Sequence, residues 1–294
     1  MGETSVEPMA GRDRLLAGLS FAFLLDEMAN GMGGLEPLDA LLVLAINQAN
    51  IAPLTRDHEA RARYGDLDAP APDEARRPVS INAVAASLGL PFETVRRRIR
   101  RLAAGQVCAL SPEGVVVPAS FLASPVYLQS VMLGHERLRR FYLELRDAGL
   151  VEALPPAAFE TDGVPVRAAA RLLADYVLRA SEGLMREAGN VISVLTLVAL
   201  LAAALAEEGR TRGLSVRAVA LRLQLSAETV RRHVAELVEE GLCARTSAGL
   251  LLTEAVLARP GVRALIAENA ANVQRLLAGL AERGVIRAWE AAEA

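Results

Sequence analysis

The chain carries one stretch of sequence twice. A shift of 135 residues aligns 80–151 with 215–286 without a gap, and 21 of the 72 paired positions are identical. Two unrelated segments of a chain this rich in Ala and Leu would agree at about one position in ten. Because each copy of such a repeat folds into the same unit, the fold has to contain two similar units in one polypeptide.

A weaker match extends upstream of each copy. Residues 15–45 resemble 172–202, with an offset of 157 instead of 135. The 22 extra residues of the first copy fall in 54–78, a charged stretch rich in Pro and Ala that is typical of an inserted loop or linker. Either the whole chain is a tandem duplication, or these upstream segments share only a helical composition.

The apolar composition predicts packed helices. Apolar residues make up 52% of the 294 positions and aromatic side chains only 4%, so Leu, Ala and Val must build the core. This composition disfavours an all-β fold, and the length suggests about two domains. Outside the repeated cores, the hydrophobic pattern predicts helices near 10–30, 37–51, 126–149, 166–187, 190–208 and 260–283.

Each repeated core predicts two short helices joined by a tight turn. In the first copy Ser80 is a suitable N-cap, Gly89 supplies a turn with positive φ, and a second helix starts near Pro91. The second copy has Ser215 and Ser226 as caps. Apolar residues at helical spacing line the inner faces of the first pair: Val84, Ala85, Leu88, Val95, Ile99 and Leu102.

A short hairpin follows each predicted helix pair. Residues 107–110 and 115–117 flank a Ser-Pro-Glu-Gly turn, and the second copy repeats this pattern at 242–245 and 250–252. One departure is Gln224, which stands where the first copy has the turn glycine.

Ala85, Gly89 and Val95 occupy the positions at which helix-turn-helix proteins place a small residue, a turn glycine and a core aliphatic residue. With its hairpin, each copy resembles the winged helix-turn-helix transcriptional regulators of the MarR, GntR and related groups. The resemblance covers 46 residues of each copy, 80–125 in the first, and is specific to the motif and not to one family. It implies a mostly α fold with two small β-wings, in which tandem winged helix-turn-helix domains are joined by long helices with pseudo-two-fold symmetry.

We therefore expect two heads, the first at 79–125 and the second at 210–258. The remaining segments would be N-terminal helices at 1–53, a linker or inserted loop at 54–78, connecting and interface helices at 126–209, and a C-terminal helix at 259–294.

Local charge favours nucleic acid as the partner of both heads. The net charge of −3 argues against a general polyanion binder, so contacts must come from local basic patches. Residues 74–101 hold seven arginines against two glutamates, and 210–233 hold six against one, so each patch carries +5. An isolated Arg-rich helix is often ordinary solvated surface, but two copies on the same motif favour double-stranded DNA.

The resemblance implies that the second helix of each head enters the major groove. Candidate contacts fall into three matched pairs: Arg97 and Arg232 to guanine O6/N7, Thr94 and Thr229 to base or phosphate, and Arg96 and Arg231 to phosphate. Further candidates are Arg100, Arg101, Arg217 and His233. Glu93 and Glu228 either accept from cytosine N4 or favour the helix N-terminus and orient the arginines; the sequence does not distinguish these roles.

The two candidate sets differ. Arg98, Arg100 and Arg101 of the first head correspond to His233, Ala235 and Glu236 of the second, which predicts an asymmetric or imperfectly palindromic DNA site. The hairpin tips carry no Lys or Arg, so we expect little anchoring in the minor groove.

The leading hypothesis is a cytoplasmic transcriptional regulator whose heads act as an intramolecular pseudo-dimer. One alternative is a replication initiator or a chromosome-organisation protein that binds a protein partner. A ligand-sensing repressor is a subclass of the leading hypothesis, with a small-molecule effector held among the apolar helices near 10–51 and 166–208. Whether whole chains dimerise further stays open, and no enzyme motif is present.

Cys108 and Cys243 occupy equivalent positions, at which a buried core role and a redox role are the alternatives. Neither they nor the three histidines have metal-ligand spacing, and no cofactor is indicated. The N-terminus lacks the pattern of a secretory signal. The uncharged segment 188–206 is long enough to cross a membrane, but its Ala content and acidic flanks favour a helix buried in the protein, without a membrane partner.

Overall fold

The computed structural model describes residues 11–65, 67, 70–158, 163–206 and 213–293. Most of these residues are helical, and they contain two small antiparallel sheets of two strands each. The prediction of a mostly α fold with two short hairpins is therefore confirmed.

The first half of the chain contains seven helices and one hairpin among its described residues. In chain order these are α1 Gly11–Asn30, α2 Pro37–Arg56, α3 His58–Arg63, α4 Ile81–Ser87, α5 Phe92–Ala104, β1 Ala109–Ser111, β2 Gly114–Val116, α6 Ala119–Leu122 and α7 Pro125–Asp147, with a 3₁₀ turn at Asp73–Ala75.

The second half repeats most of this order. Its elements are α8 Val166–Ala188, α9 Val191–Leu205, α10 Val216–Arg222, α11 Ala227–Glu239, β3 Ala244–Thr246, β4 Gly249–Leu251, α12 Glu254–Leu257, α13 Pro260–Glu282 and α14 Val285–Ala291. From α10 to α13, every element begins and ends 135 residues after its counterpart from α4 to α7. The repeat seen in the sequence is thus a repeat of structure.

Caps and turns explain these shared boundaries. Ser80 and Ser215 each accept a hydrogen bond from the backbone N–H three residues on, which satisfies a donor at the helix start. Gly89 has φ +62°, and Gln224 adopts the same left-handed conformation at φ +55° although it carries a side chain. The predicted turn therefore forms in both copies.

Each hairpin gains a bridge from the residue before its helix pair. Val79 pairs with Val115, and Leu214 pairs with Leu250. A Cβ on Gly114 would lie 2.6 Å from the Val79 carbonyl oxygen, so only glycine permits this approach. Each hairpin is consequently paired with the residue that leads into the first helix of its own head.

The segment predicted as a linker, 54–78, is more structured than expected. α2 continues to Arg56, and α3 follows directly, while residues 66, 68 and 69 lie outside the described set. The buried Asn50 side chain explains the order near 77, because its Nδ2 donates to the carbonyls of Arg77 and Val115 and its Oδ1 accepts from the Val117 N–H. These bonds tie linker, hairpin and α2 together.

The long helices interlock. α1 packs along α9, and α8 packs on α2 and α13, so each half covers the second helix of the other half. Thirteen of the fifteen residues of α9 are buried, which confirms that the uncharged segment forms an interior helix. By length and composition alone, α2 and the pair α8–α9 could cross a membrane, but the pair is bent by 102°.

Candidate nucleic-acid interface

Helix α5 presents one apolar and one charged face. Val95, Ile99 and Leu102 are buried against the rest of the first head. Glu93, Arg97 and Arg100 are exposed on the opposite side, and Thr94 lies half-buried at the flank. The spacing of the apolar residues therefore leaves the predicted contact residues in solvent.

Helix α11 repeats this arrangement. Ser226 caps the helix by accepting from the Thr229 N–H, and its hydroxyl also hydrogen-bonds the Thr229 hydroxyl at 2.8 Å. Arg231 and Arg232 are exposed, as is Arg217 on the neighbouring α10. The predicted positions of these side chains are thus matched in the two heads.

Arg97 and Arg232 are the sharpest candidates for base contacts. Both side chains are exposed, and within the described part of the chain neither has a hydrogen bond or an ion pair. The same holds for Arg100 and Arg217. A guanidinium whose N–H donors make no hydrogen bond within the protein can bind an external acceptor.

Glu93 and Glu228 form ion pairs in both heads. Arg96 Nη2 lies 2.6 Å from Glu93 Oε2, and Arg231 pairs with Glu228 in the same i, i+3 relation. The geometry favours the orienting role of these glutamates over a role in reading cytosine, because Oε2 of each carboxylate already accepts from a neighbouring guanidinium.

Arg101 is turned toward the protein. Together with Arg98 it pairs with Glu36 and Asp39 at the start of α2; Arg98 Nη1 lies 2.8 Å from Asp39 Oδ1 and 2.9 Å from Glu36 Oε2. The hydrogen bond from Arg98 holds the pKa of Glu36 below its ordinary value. We call these four residues the flank network. The Arg101 side chain is nonetheless 56% exposed, so its contact with DNA stays a prediction.

His233, which corresponds to Arg98, does not lie where the sequence predicts it. It is only 8% exposed, and its Nδ1 lies 3.2 Å from Ser193 Oγ and 3.0 Å from Glu236 Oε2. The prediction that it contacts DNA is wrong, because the ring is buried between α11 and α9. Its spacing from Val230 and Leu237, three residues before it and four after it, already places it at the edge of the apolar face.

This serine, histidine and glutamate do not form a catalytic triad. Both partners face the same ring nitrogen, whereas a triad needs the nucleophile on one nitrogen and the carboxylate on the other.

The basic patches are smaller than the residue counts suggest. Arg76 is buried, and its guanidinium donates to the Ala71 carbonyl at 3.1 Å and to Asn47 Oδ1 at 3.0 Å. Arg222 pairs with Asp26 of α1 at 3.2 Å. Arg210 and Arg212 lie outside the described residues. Among the described residues of the two patches, the exposed arginines therefore lie on α5, α10 and α11, with Arg77 before α4.

The hairpin tips differ in charge. Pro112 and Glu113 form the first tip, and a hydrogen bond from Ser111 lowers the pKa of Glu113. The second tip, Ser247 and Ala248, is neutral, with exposed Arg245 on the strand before it. An anionic tip repels phosphate, which is consistent with the expected lack of minor-groove anchoring.

The cysteines are buried core residues. Burial raises the pKa of Cys108 to about 12 and that of Cys243 to about 11, so both remain thiols at neutral pH. This favours the core role over the redox role. Among the residues that the structure describes, no three His, Cys, Asp or Glu side chains come together as a metal site.

Comparisons of this chain with protein-family models, with curated proteins and with solved structures find no match in any of the three.

Proposed function

We propose that the protein is a sequence-specific DNA-binding transcriptional regulator of the cytoplasm, which uses two winged helix-turn-helix heads as an intramolecular pseudo-dimer. One observation carries this proposal. The same half-buried threonine and exposed arginine side chains recur on the second helix of two structural units that are 135 residues apart. In each unit, an exposed arginine that has no partner among the described residues stands within the first two turns of that helix: Arg97 in α5 and Arg232 in α11.

The packing of the long helices supports the pseudo-dimer. In homodimeric regulators, two chains contribute equivalent surfaces to an isologous interface. Here α1 covers α9 while α8 covers α2, so the two halves exchange equivalent contacts within one chain. Such an interface fixes the distance between the heads, and two half-sites about one helical turn apart would be recognised together.

Differences between the exposed faces support an asymmetric DNA site. Arg100 is exposed and unpaired in the described structure, whereas its counterpart is Ala235. Conversely, exposed Arg217 of α10 corresponds to Asn82 in the first head. The heads would therefore contact the two half-sites through different phosphates and bases.

A second candidate function is a tandem winged-helix protein of replication or chromosome organisation that binds a protein partner. The observation in its favour is the presence of large apolar side chains on the surface of the heads, with Leu221 81%, Leu110 45% and Phe92 43% exposed. The net charge of −3 also suits a protein partner better than it suits DNA.

The two functions are separated by selecting bound duplexes from a random pool. On the selected duplex, Arg97→Ala and Arg232→Ala are each expected to cost about 1–3 kcal/mol and to relax preference at one half-site. Arg140→Ala, at an exposed arginine of α7 outside the heads, is the matched control and should leave affinity unchanged. A pool that yields no enriched sequence would reject the regulator, and a uniform loss across sequences would reduce these arginines to phosphate contacts.

A further inference from the structure

A cavity of about 70 Å³ lies between α1, α2, α7 and α8. Its wall is predominantly apolar, and the lining includes Met28, Met32, Leu41, Tyr127, Val131 and Leu173. A cavity of about 150 Å³ on this measure holds benzene, so this smaller cavity, which is partly open to solvent, takes a molecule of about three to five non-hydrogen atoms.

One buried carboxylate reaches this apolar wall. Glu27 lines the cavity and is only 6% exposed, and its carboxylate pairs with Arg137 of α7, with Nη2 3.2 Å from Oε2. Burial raises the pKa of Glu27, and the arginine opposes that shift. Because burying a carboxylate is costly even when it is paired, a carboxylate here calls for a reason beyond packing.

In the second half of the chain, larger side chains occupy several of the positions that correspond to residues lining the cavity. Applying the offset of 157 to α1 and α2, and of 135 to α7, makes Leu184 the counterpart of Glu27 and Leu197 the counterpart of Ala40. Both leucines are buried, at 1% and 0% exposure. A second pair of contacts supports this alignment. It makes Ser193 the counterpart of Glu36, and Ser193 contacts His233 just as Glu36 contacts Arg98, the counterpart of His233.

On α7 and α13 the same contrast holds. Ser130 and Gly134 line the cavity, and their counterparts are Leu265 and Asn269. The Asn269 side chain fills its place with hydrogen bonds, to the Tyr176 hydroxyl at 3.0 Å and to Ser20 Oγ at 2.7 Å. Among the residues that line the cavity, the first copy thus carries the smaller side chains at Ala40, Ser130 and Gly134, whereas at Met32, Leu41 and Tyr127 it carries larger ones than the second copy.

From this contrast we infer that the cavity is a binding site for a small, mostly apolar organic molecule that carries one N–H or O–H hydrogen-bond donor. The apolar wall would bury the body of the molecule, and the donor would bond to Glu27 Oε2, which keeps an unused lone pair beside the bond from Arg137. A ligand carboxylate is excluded from this position, because it would face the Glu27 carboxylate across an apolar space.

The cavity also adjoins the flank network. Pro37 and Ala40 of α2 line the cavity, while Glu36 and Asp39, their neighbours in sequence, hold Arg98 and Arg101 of α5. A ligand that shifts the start of α2 therefore shifts the acidic side chains that position α5. This regulatory step rests on the proposed DNA binding, whereas the binding site itself does not.

The binding site is tested by thermal unfolding of the full chain with three probes of about five non-hydrogen atoms each: pyrrole, furan and propionate. Pyrrole, which carries one N–H donor, is expected to raise the Tm by about 2–4 °C at concentrations well above its Kd, furan less because it lacks the donor, and propionate not at all. Ser130→Leu, which installs the residue of the second half, should abolish the effect, and Glu27→Gln should reduce the advantage of pyrrole over furan. Absence of stabilisation by pyrrole, or stabilisation that persists in Ser130→Leu, would overturn the assignment.

The regulatory step is tested on the selected duplex. Saturating pyrrole is expected to change the affinity for DNA at least about fivefold in the native chain and not in Ser130→Leu. Pyrrole binding without a change in affinity would overturn the coupling. If pyrrole binds but no duplex is ever enriched, the proposed function fails while the cavity assignment stands.

Discussion

The two heads share their folds but are attached to the molecule by different chemistry. In the first head, α5 meets α2 through the flank network, in which two arginines face Glu36 and the 4% exposed Asp39 side chain. In the second head, α11 meets α9 through the buried His233 beside Ser193. The apolar core of the first head clusters with α2, whereas that of the second is continuous with the main bundle.

This difference shows how the two copies of a duplicated unit can diverge where each head contacts the long helices, in addition to the differences on their exposed faces. Ion pairs respond to salt, pH and small shifts in geometry, whereas a packed apolar contact is rigid. The first head is consequently the adjustable one. It also lies next to the cavity, to which the first half contributes α1, α2 and α7 and the second half contributes α8.

The largest expected difference follows removal of the buried acid of the flank network. Asp39→Ala leaves Arg98 and Arg101 without their closest partner, and a loss of about 2 kcal/mol in unfolding free energy is expected, below the full cost of a buried pair because the arginines are partly exposed. Thr196→Ala is the control at the equivalent position of α9. The Thr196 hydroxyl bonds only the Ile192 carbonyl one turn back, so a cost below about 1 kcal/mol is expected. Equal losses in urea denaturation would contradict the contrast.

The next effect is on DNA affinity and concerns Arg100, whose counterpart in the second head is Ala235. Arg100→Ala should weaken binding to the selected duplex by about 1 kcal/mol and reduce the salt slope by about one charge. Ala235→Arg should produce the opposite change by giving the second head the same cation. Filter-binding titrations at several salt concentrations measure both affinities. A change of affinity in the same direction for the two variants would remove the basis for an asymmetric site.

A smaller effect is expected at the turns. Gly89→Gln places a side chain at φ +62° and should cost about 1 kcal/mol, because left-handed backbone is unfavourable for residues with a Cβ. Gln224→Gly should stabilise by somewhat less, since it also gives up an exposed hydrogen bond to Asn30. Melting temperatures of the two variants should therefore move in opposite directions, and a shift of both in one direction would show that the turns are not equivalent.

The smallest effect is a pH dependence confined to one head. Because the folded-state pKa of Glu36 is lowered, its contribution to stability is complete above the unfolded value of about 4.3 and is lost as the pH falls through the folded value. Hydrogen exchange of α5 should accelerate relative to α11 below about pH 4.3. Glu36→Gln should remove this difference, and an equal acceleration in both helices would argue against the flank network as its source.

Much of the fold could be predicted from the sequence, because local signals determine it. Serine caps and turn glycines set the helix boundaries. Because the repeat aligns without a gap, an element predicted in one copy could be checked against the aligned segment of the other. The left-handed turn at Gln224 shows that tertiary context can enforce a conformation that its own residue type disfavours. The regular structure within 54–78 was not predicted, because the order near Arg77 depends on the side chain of Asn50, which lies outside this segment.

The candidate interface was harder to predict residue by residue. Exposed arginines such as Arg97 follow from helical spacing alone. Arg101 and His233 do not, because their surroundings are supplied by α2 and α9, helices far away in the sequence. The cavity was equally hidden, since no local pattern reveals which small side chains face one another across four helices.

We propose that one chain recognises two half-sites through its two heads. The decisive measurement is footprinting of the selected duplex with the native chain, at a stoichiometry fixed by analytical ultracentrifugation. We expect one chain per duplex to protect two half-sites about one helical turn apart, and Arg97→Ala and Arg232→Ala each to expose a different one. Protection of a single half-site by one chain, with Arg232→Ala harmless, would contradict it.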